Sequence, residues 1–234
     1  MSVKILAIVP AFNEEQSIQH LVKLFEKVDK VDVIIINDCS KDRTSKVCIE
    51  LGLNVIDLPS NLGIGGAVQT GYKYAEKHGY DIAIQVDGDG QHNPAYIKEL
   101  IKPIVDGKAD LVIGSRYLNK EGFQSTFIRR VGIHYFSFLI KILNNKRITD
   151  PTSGFRACNR QVIELFSKRY PHDYPEPESI VYLLRNNYSV EEVPVVMLER
   201  TGGESSINAI KSVYYMIKVS LAILIDNLRK IGLT

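Results

Sequence analysis

The chain has 234 residues, 45% of them hydrophobic and 24% charged, with a formal net charge of +2. That is globular composition with enough apolar residues for a sizeable core, and it lacks the strong basic excess of a nucleic-acid binder. The three cysteines, Cys39, Cys48 and Cys158, fit no zinc spacing, and their odd number argues against a disulfide framework, so a reducing compartment is expected.

The opening run from Lys4 ends at Pro10 and gives way to acids. It is too short for a signal peptide and reads as a buried strand. No stretch reaches about 18 uninterrupted apolar residues, so no transmembrane helix is expected. From there, short β-branched runs alternate with longer helical patterns. Strands are expected at Lys4–Val9, Val33–Ile36, Asn54–Leu58, Ile82–Val86 and Leu111–Ile113. Helices are expected between them at Glu15–Val28, Thr44–Leu51, Ile64–His78 and Pro94–Val105. The alternation predicts an α/β fold, a mainly parallel sheet with helices on both faces and ligands at the carboxyl ends of the strands. The second half is less regular. Thr126–Leu143 reads as helix, Thr149–Arg156 as a loop, Glu178–Asn187 as helix, Val190–Leu198 as strand and Ser205–Arg229 as a long amphipathic helix. No convincing linker interrupts the chain. Residues 1–234 are therefore expected to form a single domain, with a half at 1–120, a second half at 121–204 and a C-terminal helix at 205–234.

Polar motifs fall just after strands, where such a sheet gathers ligands. Asp87-Gly88-Asp89-Gly90-Gln91-His92 follows the fourth strand. Two carboxylates one residue apart at a strand end point the same way and can reach one divalent ion, Mg²⁺ or Mn²⁺, of the kind that also holds phosphates. Read blandly, the same residues make a turn. Asn37-Asp38-Cys39-Ser40 follows the second strand. Asp38 can accept from a base N–H or a ribose, while Ser40 or Asp42 can cap the next helix. Pro10-Ala11-Phe12-Asn13-Glu14-Glu15 follows the first strand, with Asn13 as a capping residue and Glu14 toward a nucleoside. Gly63, Gly65 and Gly66 fail the dinucleotide fingerprint, because its last glycine would fall on Val68. They read instead as a close-approach loop opening a helix. Arg116, Arg129, Arg130, Arg156 and Arg200 carry forks suited to phosphate, although surface arginines are common.

Taken in order, PAFNEE, NDCSKDRT, NLGIGGAVQTG, DGDGQH and GSRY resemble the family 2 glycosyltransferases of the GT-A fold. The later DPTSGFR, YPEPES and EVPVVMLERTGGESSI resemble the subgroup that acts on polyprenyl and dolichyl phosphates. Asn37 and Cys39 stand where that family often carries Asp and Gly. The resemblance implies a nucleotide-sugar held by Pro10, Phe12, Glu14, Asp38, Gly63, Asp87, Gly88 and Asp89, with the metal on Asp87 and Asp89. It implies catalytic roles for Asp89, Arg116 and Arg200, and an acceptor phosphate met by Arg116 and Arg130. Arg156 and Ser153 are further candidates on the acceptor side. The implied reaction is inverting transfer of a hexose, mannose or glucose, from a GDP- or UDP-sugar to a polyprenyl phosphate.

A phosphate acceptor needs no general base, because its second ionisation lies near pH 6. A saccharide hydroxyl would need one, with Asp150, Glu176 and Glu178 as candidates. The rival readings are therefore a transferase acting on a saccharide hydroxyl, a sugar-phosphate nucleotidyltransferase, and a membrane subunit that binds nucleotide-sugar without turnover. The basic and aromatic stretch Phe127–Lys141 and the C-terminal Val213–Leu228 suit helices lying on anionic lipid. Core packing is the alternative for the first, and a face for a small membrane-protein partner for the second. Together these place the protein at the cytoplasmic face of a membrane, peripherally.

Overall fold

The computed structural model describes residues 3–119, 121–122, 127–198 and 209–228. Seven strands form one sheet: β1 (Ile5–Ala11), β2 (Val31–Asn37), β3 (Asn54–Asp57), β4 (Ile82–Gln85), β5 (Leu111–Ser115), β6 (Arg156–Asn159) and β7 (Val190–Pro194). Their order across the sheet is β3-β2-β1-β4-β6-β5-β7. β6 runs antiparallel between β4 and β5, and every other pairing is parallel.

The helices are α1 (Glu15–Phe25), α2 (Thr44–Glu50), α3 (Gly63–Lys77), α4 (Ile97–Val105), α5 (Phe127–Asn144), α6 (Arg160–Lys168), α7 (Pro175–Arg185) and α8 (Ala209–Leu228), with a 3-10 turn at Pro94–Tyr96. Side chains alternate across each strand, so β1 sends Leu6 and Ile8 to one face and Ala7 and Val9 to the other. The first face packs on α3, α5, α6, α7 and α8, the second on α1, α2 and α4. Both faces of β1 are thus covered, which is why its sequence is apolar throughout.

The first-half elements lie within three residues of their expected ends. Three differences matter for the site. β4 stops at Gln85, so Asp87 and Asp89 lie in the turn beyond it and strand geometry does not orient them. Val190–Leu198 is a strand only as far as Pro194. The expected loop Thr149–Arg156 runs into β6 and then α6. Arg-Ala-Cys-Asn has no β-branched residue to announce a strand, and α6 begins with no spacer because Asn159 caps it, accepting from Val162 N at 3.0 Å. Residues 205–208 and 229 of the expected C-terminal helix, and Thr126 of the expected fifth helix, lie outside the described residues.

α3 crosses the sheet closely at Gly71, where a Cβ would stand 2.2 Å from Ile8 Cγ2. Ile8 is fully buried and stiff at χ1, so it has little room to yield. Gly71→Ala should therefore lower stability by about 1–3 kcal/mol, although Ala is the better helix former by about 1 kcal/mol. Urea unfolding measures the difference, and an unchanged or raised midpoint would contradict this packing.

Candidate functional site

The loops after β1 and β2 are laced into one unit. Asn13 N donates to Ser40 Oγ and Lys41 N to Asn13 Oδ1. Glu14 N donates to Thr44 Oγ1, Glu15 N to Asp42 Oδ2, and Arg43 N to Glu15 Oε2. Asn13 therefore braces the neighbouring loop and does not cap α1. Asp42, not Ser40, accepts from Thr44 N at the start of α2. Asn13 and Cys39 both adopt left-handed backbone, with φ of 57° and 59°. Phe12 stands out into solvent, 46% exposed, and Glu14 accepts from Ser17 Oγ at 2.8 Å.

Asp38 is buried, and its two oxygens accept from Leu62 N at 2.7 Å and Gly63 N at 2.9 Å. The sequence suggests a base or ribose contact for this carboxylate. The structure turns it onto the start of α3, whose unpaired N–H groups and dipole attract the nearest anion. Asp38 and Gly63 are thus brought together, and α3 is fixed to the end of β2.

Past β4 the chain makes the acidic turn. Gly88 N donates to Pro10 O at 3.3 Å, which ties the turn to the end of β1. Asp89 is largely buried, and its Oδ1 accepts from Gln91 N. Asp87 is more open, with 34% of its side chain exposed. Its Oδ1 accepts from Gln85 Nε2 at 3.1 Å, and its N–H donates to His92 Nδ1 at 2.9 Å. Among the described residues no group of three or more His, Cys, Asp or Glu side chains could cage an ion. Two carboxylates in one turn are instead the hard-oxygen set with which Mg²⁺ or Mn²⁺ completes its shell from phosphate and water. The chemistry of the donors therefore fits a divalent cation shared with a diphosphate.

On the far side of β4, Arg116 extends from the end of β5. Its Nε and Nη2 reach the two oxygens of Asp150 at 2.7 Å each, and its N–H donates to the same carboxylate. Burial disfavours the Arg116 charge, but the Asp150 hydrogen bonds and charge outweigh it and raise the guanidinium pKa. The Asp87 charge acts in the same direction, and Tyr117 feels both Arg116 and Arg130, so these groups share one electrostatic neighbourhood. Arg130 lies exposed in the first turn of α5.

Asp150 itself is 0% exposed and occupied by Arg116, so it does not suit the general-base role considered from sequence. Its N–H and that of Thr149 donate to Glu192 of β7, a carboxyl whose pKa burial pushes up. Ser153 is buried and donates to Gly114 O. Arg156 is placed differently from an acceptor-phosphate contact. It is 0% exposed, and its guanidinium donates to Ser153 O, Glu176 O and Ser179 Oγ. The reason is topological: as the first residue of β6 it points into the packed face beneath α7. Glu176, in the first turn of α7, has its pKa raised by burial; Arg156 works the other way and Asp87 adds to the rise. Glu178 points elsewhere, lining a cavity of about 270 Å³ with Arg169, His172 and Tyr182. Arg200 lies outside the described residues.

Sequence reasoning overlooks Gln85, His92 and Gly154, all of which touch Asp87. His92 is visible at the end of the acidic motif, but only the folded turn shows what its ring does.

Comparison with known proteins gives the following. The sequence profile of glycosyl transferase family 2 matches residues 6–166. The chain is 32% identical over 211 residues to UDP-N-acetylglucosamine–dolichyl-phosphate N-acetylglucosaminyltransferase of Methanococcus voltae, covering 82% of this chain and 84% of that one. It is 29% identical to polyprenol monophosphomannose synthase of Mycolicibacterium smegmatis over 233 residues, 92% and 85% of the two chains. Among solved structures it resembles glucosyl-3-phosphoglycerate synthase of Mycobacterium tuberculosis, crystallised with Mn²⁺, UDP and phosphoglyceric acid. The TM-score is 0.76 at 17% identity, over 99% of this chain and 81% of that one. That likeness identifies the fold as GT-A.

The Arg116–Asp150 pair predicts a large asymmetry. Asp150→Ala strands a buried guanidinium and should cost roughly 3–5 kcal/mol of stability, measured by urea unfolding. A loss below about 1 kcal/mol, the size of a surface pair, would contradict the pair's burial.

Proposed function

The chain belongs to glycosyl transferase family 2, and from that premise we propose that it moves a hexose, mannose or glucose, from a GDP- or UDP-sugar onto a polyprenyl phosphate at a membrane surface. The observation that carries this reading is the pairing of the acidic turn at the end of β4 with Arg116 at the end of β5. An acidic turn suited to a cation-bound diphosphate and an arginine with one nitrogen left for a phosphate thereby lie at the ends of β4 and β5, on either side of β6. The names of the Methanococcus and Mycolicibacterium relatives, each carrying a polyprenyl-type acceptor or product, support the lipid.

In this reading the nucleotide-sugar lies across the ends of β1, β2 and β4, against Pro10, Phe12, Glu14, Gly63 and Gly88. Asp38 contributes indirectly by holding the start of α3. Asp87 and Asp89 hold a divalent cation, Mg²⁺ or Mn²⁺, which when bound offsets the charge of the departing diphosphate. Arg116 keeps one nitrogen, Nη1, outside the Asp150 fork. With Arg130 and the catalytic Arg200 it orients the acceptor phosphate. An acceptor oxygen forms a bond to the anomeric carbon as the bond to the nucleoside diphosphate breaks, with inversion. No proton has to move, since the attacking phosphate is already ionised near neutrality. Arg156 and Ser153 act beneath the site, shaping the loop that carries Asp150 and Gly154. The chain then works as one domain, with residues 1–120 binding the donor, 121–204 serving the acceptor and 205–234 facing the membrane.

The membrane reading rests on a surface. Val131, Tyr135, Phe138 and Ile142 are exposed along α5, and Tyr214, Ile217, Leu221, Leu224 and Ile225 along α8. Each set recurs at helical spacing, and the helices lie side by side, with Tyr135 and Ser220 hydroxyls bonded at 2.9 Å. Arg130 and Lys141 are exposed on α5 as well. Among the described residues no helix is long and apolar enough to cross a membrane. An apolar double stripe with basic neighbours suits a protein lying on anionic lipid at the cytoplasmic face. A small membrane protein covering the same stripes is the second reading.

Two measurements test this. A panel of UDP- and GDP-sugars, including UDP-N-acetylglucosamine, with polyprenyl phosphate and Mn²⁺ or Mg²⁺ should yield a lipid-linked product. That product should fall at least 100-fold in Asp89→Ala. Transfer to a saccharide with none to lipid would overturn the acceptor assignment. In liposome flotation with anionic vesicles, Phe138→Glu combined with Leu221→Glu should weaken binding more than tenfold, since each exposed side chain contributes on the order of 1.5–3 kcal/mol when buried. Unchanged flotation would contradict docking through α5 and α8.

A further inference from the structure

The carboxylate of Asp87 is enclosed by three residues that the proposed reaction leaves without a role. Gln85 is fully buried at the end of β4 and donates from Nε2 to Asp87 Oδ1 at 3.1 Å. Its other amide atom, Oε1, is buried with no hydrogen-bond partner. Leaving a buried acceptor without a partner is unfavourable, because its hydration is lost and not replaced. Turning the amide over would set that oxygen against the carboxyl groups of Asp87 and Glu176, both of which Gln85 meets, so the observed orientation serves these acids at the expense of Oε1. His92 is nearly fully buried and stacks on Phe155, with ring centroids 5.0 Å apart. Its Nδ1 accepts the Asp87 N–H, which places the ring proton on Nε2. That nitrogen lies 3.7 Å from Asp87 Oδ2. One imidazole therefore accepts from the backbone N–H of the aspartate and stands beside its carboxylate without a direct hydrogen bond to it.

Gly154 closes the third side. A Cβ there would stand 2.6 Å from Asp87 Oδ2, 2.9 Å from Oδ1 and 3.0 Å from Gln85 Nε2. Gly154 is held in place from below, because Ser153 O accepts from Arg156 Nε and Nη2, and Ser153 Oγ donates to Gly114 O. The wall of the socket is thus fixed from the backbone, while the groups it presses on are the ends of flexible side chains.

We propose that Gln85, His92 and Gly154 are positioning residues that set the single orientation in which Asp87 can hold a divalent cation. The inference rests on the cation site proposed above. It differs from a structural role in a specific way. A methyl at residue 154 meets first the Asp87 carboxylate, a partly exposed side-chain end that can swing aside, so it should displace Asp87 without unfolding the chain. Likewise, His92→Phe keeps the stack on Phe155 but loses both nitrogens, whereas His92→Asn restores an acceptor for the Asp87 N–H.

The test is Mn²⁺ binding to the full chain with UDP or GDP, read by electron paramagnetic resonance, beside the thermal midpoint of each protein. Gly154→Ala and His92→Phe should weaken Mn²⁺ binding by about 10–100-fold, the usual effect of removing an outer-shell partner. His92→Asn should recover part of the loss, and Gly154→Ala should keep its thermal midpoint within a few degrees. If His92→Phe does not fold, Gly154→Ala alone decides. Wild-type Mn²⁺ affinity in folded Gly154→Ala would overturn the positioning role while leaving the cation site standing. An absence of Mn²⁺ binding in the unsubstituted protein would remove the cation site and this inference with it.

Discussion

The bidentate contact between Arg116 and Asp150 holds the two halves of the site in register. Arg116 ends β5, and Asp150 opens the loop that leads into β6. Asp150 is fully buried and Arg116 largely so, and each charge is offset chiefly by the other. Glu192 of β7 secures the same loop from below through the N–H groups of Thr149 and Asp150. From there the chain enters the sheet antiparallel between β4 and β5. That insertion carries Gly154 against Asp87 and buries Arg156 beneath α7. An ion pair on one side of the sheet thereby fixes the carboxylate environment on the other.

The same constraint explains a division of labour among the arginines. Arg116 is rigid, held by Asp150 with one nitrogen to spare. Arg130 is exposed on a helix whose outer stripe is apolar. Arg156 is internal and works through the Ser153 carbonyl. Three residues of one type thus hold three positions of differing burial, which sequence alone treats as equivalent. The exposed apolar stripes belong to α5 and α8, which cover the same face of the sheet as α6 and α7.

Much of this was legible in the residues. The alternation of β-branched runs and amphipathic stretches marks β1 to β5 and the helices between them, because buried parallel strands read as unbroken apolar segments. The placement of polar motifs just after strands marks the ligand edge. What stayed hidden depends on contacts distant in sequence. β6 is four residues long without a β-branched side chain, and only its neighbours make it a strand. Asp38 reads as a ligand group, and its hold on the start of α3 shows only in the fold. Arg156 reads as a phosphate fork until β6 places it inside. Gln85 looks like an ordinary strand residue, and its role appears only when Asp87 is found folded back upon it.

The claim at the centre of the account is that the acceptor nucleophile is a phosphate, which the site orients without taking a proton from it. The most direct measurement compares polyprenyl phosphate with the corresponding polyprenol as acceptors, under the same donor and metal, following the sugar-linked lipid. Transfer to the phosphate is expected, with none above background to the alcohol. Comparable transfer to the alcohol would require a general base and would contradict the claim.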